Sequence, residues 1–297
     1  MVDFDTVLSA ALAVSVSINA LTSLYVIRRL PSTPPVQAGL EDEQETEAEE
    51  LEDGPSKEEI IARRAQLIHE LEEERGSRVI TLIHRKEPWS KSDEEPEIVL
   101  DDSEFILQEV RQTPRDKPID FILHTEGGLT FAADLMAMAL KYHPAKVTVM
   151  IPFYAMSDGT YLALAADEIM MERYSILAPL EPQIDDMPAN WIMAILKRKP
   201  MELIADRTIL LAESARMETE NAREFVKWLL QDKMNEEQAS QVADFLVGGF
   251  MASSTPITLD VARAIHLNVI EGVPEKVHQL FETIEFSGGK RSGKSYQ

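Results

Sequence analysis

Cysteine is absent from all 297 residues, and that one omission removes thiol nucleophiles, disulfide staples and thiolate metal sites together. Cationic residues are scarce: 29 Lys and Arg stand against 52 Asp and Glu, a formal charge of −23. So acidic a chain offers no clustered basic face for phosphates, which excludes nucleic acid as a partner by that route. It also disfavours adsorption to anionic lipid except through a dedicated anchor. Glycine numbers only 12, and neither a Walker nor a dinucleotide-binding glycine pattern occurs, so no nucleotide cofactor is expected. The six histidines show no pairing with carboxylates at metal-ligand spacing, and no metal is expected.

What the chain does have is 44% apolar residues, enough for a substantial core. Its length exceeds the usual single domain, which predicts one α/β domain with appendages. The first appendage is residues 1–30, read as a membrane anchor. Thr6 to Ile27 carries no charge, and as a helix rising ~1.5 Å per residue it would span roughly 33 Å. A cleaved signal peptide is the rival reading, but Asp3 and Asp5 stand where a basic segment belongs. Arg28 and Arg29 follow the apolar stretch, which predicts a single-pass protein of the cell membrane with its C-terminal domain in the cytoplasm. Residues 31–56 are proline-rich and then strongly acidic, the composition of a disordered linker. Residues 57–286 form the predicted domain, and 287–297 a disordered tail rich in Gly, Ser, Lys and Arg.

Within the domain, short β-rich runs alternate with helical ones. A helix over 57–74 is followed by strands near 79–84, 119–125, 146–151 and 168–171, with helices near 103–112, 129–142 and from 157 between them. Asp101 or Asp102 is expected to cap the second of these helices. Nearly continuous apolar strands separated by helices predict a parallel sheet covered on both faces. After Pro188 helices dominate, over 189–197, 203–230 and 236–246.

Two strand ends carry the chemistry. The run Ile119–Thr125 closes on Gly127-Gly128, and Lys146–Pro152 empties into Tyr154-Ala-Met-Ser157-Asp158-Gly159. A parallel sheet brings such ends side by side, placing a serine next to unpaired peptide N–H groups. A nucleophile and an oxyanion hole are the minimum for acyl transfer. The hole would be made by the N–H groups of Gly128, or Gly127, and of Asp158. The plainer alternative is that Ser157 is only a helix N-cap and Gly127-Gly128 only a turn. No histidine offers a clear triad, and His124, beside the glycine turn, is read as structural.

The stretch from about Arg75 to Val273 resembles the serine dehydrogenase proteinase family, membrane-associated relatives of signal peptide peptidase A within the Clp-protease/crotonase fold. The resemblance is carried by Ser77-Arg-Val-Ile-Thr-Leu-Ile-His-Arg85, His124-Thr-Glu-Gly-Gly128, Tyr154-Ala-Met-Ser-Asp-Gly-Thr160, Ala163-Leu-Ala-Ala-Asp-Glu-Ile169 and Leu177-Ala-Pro-Leu-Glu-Pro-Gln183. It implies an α/β Clp-protease/crotonase-like parallel sheet with covering helices, a homo-oligomer, and a serine peptidase whose base is a lysine downstream of the serine. Lys199 fits that role best and Lys197 second; either amine must lose its charge by burial to serve. The expected function is hydrolysis of membrane-derived or unfolded peptides. Alternatives are a catalytically inactive membrane scaffold and an acyl-CoA enzyme using the same hole. Asp158 and Glu126 depart from the family pattern, and a carboxylate next to the nucleophile opposes an oxyanion unless it points away or pairs.

Overall fold

The computed structural model describes residues 55–87, 89–90, 96–249 and 255–284. The expected anchor at Thr6–Ile27, nearly all of the acidic linker and the basic tail lie outside these residues. Among the described residues no helix is long and apolar enough to cross a membrane.

The chain opens with α1 (Lys57–Arg75), β1 (Arg78–Ile83), α2 (Leu100–Gln112), β2 (Ile119–His124), α3 (Thr130–Tyr142) and β3 (Val147–Ile151). Then come β4 (Tyr154–Ala155), α4 (Asp158–Ala165), β5 (Glu168–Met171), β6 (Ile176–Leu177), β7 (Gln183–Ile184) and β8 (Met187–Pro188). The chain continues through α5 (Ala189–Arg198), α6 (Asp206–Leu230), α7 (Glu236–Val247), β9 (Ile257–Thr258), α8 (Leu259–Ala264), β10 (Val269–Glu271) and α9 (Glu275–Glu282). The expected α/β architecture is present: a five-stranded sheet in the order β1-β2-β3-β5-β10, with every pairing parallel.

Alternation along β2 explains the two helical layers. Phe121 and Leu123 point to the face covered by α3, α4, α6 and α7, whereas Ile122 points to the face covered by α1 and α9. All six residues of β2 are buried, as a central strand between two layers requires. The inner layer is fixed to β2 by polar bonds as well. Buried Asp120 accepts from Arg75 Nη2 at 3.0 Å, and also from Arg75 Nε and the Ser77 hydroxyl.

Local chemistry sets several boundaries. Ser56 and Glu59 form a reciprocal capping box at the start of α1, and Gly76 ends that helix in the left-handed region at φ 65°. Helix α2 starts at Leu100, earlier than the sequence pattern indicates. Asp102 is therefore not its N-cap; its carboxylate accepts the Val99 N–H at 2.8 Å from the third helical position. Pro200 and a single 3₁₀ turn over Met201–Leu203 delay the start of α6 to Asp206. Strands β4, β6, β9 and β10 carry two or three residues each, too few for a periodic signal. Yet β10 forms one edge of the main sheet, and β4-β6-β9 form a second small sheet that steers the chain into α4.

Candidate active site

The ends of β2 and β4 lie together, as the two sequence motifs require. Thr125 and Ala155 form a parallel bridge; Met156 N–H donates to Thr125 O at 2.9 Å and Thr125 N–H to Tyr154 O at 3.3 Å. Helix α4 is buried along all eight of its residues, so it must approach the sheet closely. Gly159 permits this, since a Cβ there would stand 2.6 Å from Thr125 Cγ2. The Thr160 hydroxyl adds a donor bond of 2.8 Å to Ala178 O, tying the first turn of α4 to the chain beyond β6.

Ser157 occupies the junction between β4 and α4 with φ 49° and ψ −120°, a left-handed value in a residue with a Cβ. Such a conformation costs of order 1–3 kcal/mol and persists where the surroundings over-determine it. Ser157 stands at the N-cap position, but its hydroxyl makes no capping bond. The residue lines a cleft of ≈ 1040 Å³. A simple cap does not account for this geometry, because a cap spends its oxygen on the helix.

The glycine turn is pressed against the serine. A Cβ on Gly127 (φ 117°) would come within 2.9 Å of Ser157 Cβ. A Cβ on Gly128 (φ 151°) would overlap the Ile98 backbone, at 2.4 Å from both its N and its O. Ile98 crosses the turn as an extended segment, its N–H donating to Gly127 O and its O accepting from Leu129 N–H, both at 2.8 Å.

The structure thus gathers Ser157, Gly127, Gly128 and Asp158, but it does not leave the donors open. Gly127 N–H donates to the Thr125 hydroxyl oxygen at 3.0 Å. That hydroxyl lies 2.7 Å from His84 Nδ1, whose Nε2 lies 3.3 Å from Asp102 Oδ2, so a polar chain backs the turn. Gly128 N–H donates to Asp158 Oδ2 at 3.3 Å. The Thr130 hydroxyl and the Asp158 N–H are the other polar groups beside this carboxylate. Burial raises its pKa, and these groups partly offset the rise. The carboxylate that departs from the family pattern points into the donor cluster, not away from it.

Among the described residues six carboxylates line the cleft, from Glu97, Asp134, Asp158, Glu181, Glu218 and Glu224, and no lysine or arginine does. Burial, and then the charges of Asp158 and Glu218, push the Asp134 carboxyl up to about 6. Asp134 is the residue that motif reading missed. Its signal is a lone acid among Ala132, Ala133, Met136 and Ala137 on the buried face of α3.

The candidate bases are placed elsewhere. Lys197 lies in the last turn of α5 and Lys199 is its C-cap; both are exposed, and neither lines the cleft. Within one chain, then, neither amine is brought to Ser157. The lysine pushed down to about 8, by burial first and then by Lys141, is Lys233. Its Nζ donates to Leu164 O, at the end of α4 remote from Ser157. His124 is fully buried among Phe153, Tyr154 and Phe281 and accepts from Arg85 Nε at 2.8 Å. Burial, with the charge of Arg85, holds it down to about 3, so it stays neutral and structural.

Comparison with known proteins places these motifs among relatives. The profile of the ClpP-like SDH-type serine proteinases matches residues 54–296. Two uncharacterized proteins of Methanocaldococcus jannaschii, MJ1495 and MJ0137, are each 41% identical to the chain. The matches cover 75% and 74% of this chain, and 76% and 77% of theirs. Among solved structures, ClpP1 of Listeria monocytogenes aligns with a TM-score of 0.42 at 15% identity, covering 70% of this chain and 97% of that one. A membrane-bound stomatin-specific protease, 1510-N, aligns at 0.39 and 15% identity, covering 63% and 79%.

Proposed function

Because the chain belongs to the ClpP-like SDH-type serine proteinases, we propose that it is a peptidase whose nucleophile is Ser157. The observation that carries this reading is the strained Ser157, which lines a cleft beside Gly127-Gly128 and whose hydroxyl is uncommitted to capping. In the reaction, Ser157 Oγ attacks the substrate carbonyl and gives its proton to a neutral amine. The negative oxygen is held by the N–H groups of Gly128 and Asp158, each such donor worth ~10²–10³ in rate. The protonated base then passes its proton to the leaving amine, and water releases the acyl group by the same steps in reverse roles.

The base in this reading is Lys199, with Lys197 the second candidate, supplied by α5 on assembly, since neither amine lines the cleft within one chain. That helix follows the β7–β8 hairpin, whose Gln183 and Ile184 form part of the cleft wall. It exposes Trp191 and Ile195, and α6 beside it exposes Leu210 and Met217. So much open apolar surface fits a homo-oligomer in which α5 is covered. The peptidase acts at the cytoplasmic face of the cell membrane, held by the uncharged stretch Thr6–Ile27. Its substrates are membrane-derived or unfolded peptides, and the acidic cleft favours those bearing Lys or Arg.

One observation favours a second reading, a catalytically silent scaffold of the same fold: the Asp158 carboxylate is bonded to Gly128 N–H. A fluorophosphonate probe followed by peptide mapping decides between them. The peptidase predicts an adduct on Ser157 that Ser157→Ala abolishes and that Lys199→Ala slows by roughly 10²-fold or more. A folded, assembled protein that takes no adduct at neutral or alkaline pH is the scaffold.

A further inference from the structure

The donors that the proposed reaction needs are already in use, and the occupant is a carboxylate of the chain itself. We propose that Asp158 is a built-in stopper: its carboxylate fills the oxyanion hole at rest, and the Ser157 site opens only when that side chain turns out into the cleft. This regulation rests on the peptidase reading of Ser157.

The geometry supports it in three ways. First, the contact is made with a donor of the hole, since Gly128 N–H donates to Asp158 Oδ2 at 3.3 Å, and the same carboxylate lies beside the other donor, its own N–H. These amides converge at the start of α4, where a negative oxygen is favoured. An anion held there occupies the position a substrate oxyanion needs. Second, Asp158 is 6% exposed, and among the described residues no lysine or arginine lines the cleft around it. Its charge is held by the Gly128 N–H, with the Thr130 hydroxyl and its own N–H beside it. Third, a way out exists. Asp158 itself lines the cleft, so rotation of one side chain exchanges the amides for water without moving α4.

The consequence is a tax on every encounter. If the hole is open in only a fraction of molecules, the observed rate with any carbonyl or phosphonyl reagent falls by that fraction. A substrate carbonyl must compete with a tethered anion, and removing the anion removes the competition.

The test compares the full-length wild type with Asp158→Asn, which keeps the side-chain shape, and Asp158→Ala, which empties the hole. The rate of Ser157 labelling by a fluorophosphonate is expected to rise roughly tenfold or more in both variants. A second readout is independent of catalysis. With only 12 glycines, a glycine-¹⁵N spectrum isolates the Gly128 amide. Its proton shift should follow an acid titration in the wild type and lose that transition in both variants. Asp134, Tyr161 and Glu218 share the cleft wall with Asp158. Asp134→Asn should therefore retain the transition, which separates Asp158 from its neighbour. The remaining glycine amides report that each variant is folded.

Equal or slower labelling of both variants overturns the stopper while leaving the peptidase standing. No labelling of any of the three proteins overturns the peptidase and the stopper's role with it. A Gly128 amide that ignores Asp158 overturns the contact itself.

Discussion

Asp134 makes the stability of this fold depend on pH in an unusual direction. Its Oδ1 is buried without a hydrogen-bond partner, and burial together with Asp158 and Glu218 raises its carboxyl to about 6. The folded state therefore binds a proton more tightly than the unfolded chain, whose aspartates titrate near 3.8. The stabilisation is complete below about pH 4 and is lost as pH rises through about 6. A shift of about two units corresponds to at most about 3 kcal/mol at ~1.36 kcal/mol per unit. The open cleft screens part of this, leaving about 1–2 kcal/mol.

Asp134→Asn retains the shape and removes the charge. Near neutral pH the variant should melt roughly 2–8 °C above the wild type, at about 2–4 °C per kcal/mol for a domain of this size. Near pH 4 the two should coincide. Thermal or urea unfolding followed across that range measures both slopes. Parallel wild-type and variant profiles, or a variant that is less stable at neutral pH, would refute the argument that Asp134 is an unpaired buried carboxyl.

Two further substitutions test the frame of the site. Gly128→Ala drives a Cβ into the Ile98 backbone at 2.4 Å. It should cost several kcal/mol and abolish labelling of Ser157, as unfolding and probe assays would reveal; a variant melting with the wild type contradicts the packing of Ile98 on the turn. Asp120→Ala leaves the Arg75 guanidinium without its buried partner on β2. A loss of about 3–5 kcal/mol is expected in urea unfolding, and a loss near zero would mean that the pair is solvated.

The parallel sheet was legible because its central strands are long and apolar on both faces. Ile119–His124 and Val147–Ile151 read as strands from composition alone. The nearness of Ser157 to the glycine turn was legible too, since successive parallel strands end on the same side. The direction of the Asp158 side chain was not. It depends on Thr130 and on two amides whose convergence only the folded turn creates. Nor did the motif around Lys197 and Lys199 reveal that the end of α5 is exposed, because that depends on how α5 packs on α6. The short edge strands escaped notice for a simpler reason: two or three residues carry no period.

A helix with no solvent face has no freedom to tilt. Because α4 is enclosed along its whole length, Ser157 at its head is anchored to the interior rather than to a loop. The wall opposite, formed by Gln183 and Ile184 of the β7–β8 hairpin, is built from exposed and half-buried residues. Whatever adjustment the proposed function demands must therefore come from that outer wall, while the serine's own seat stays fixed.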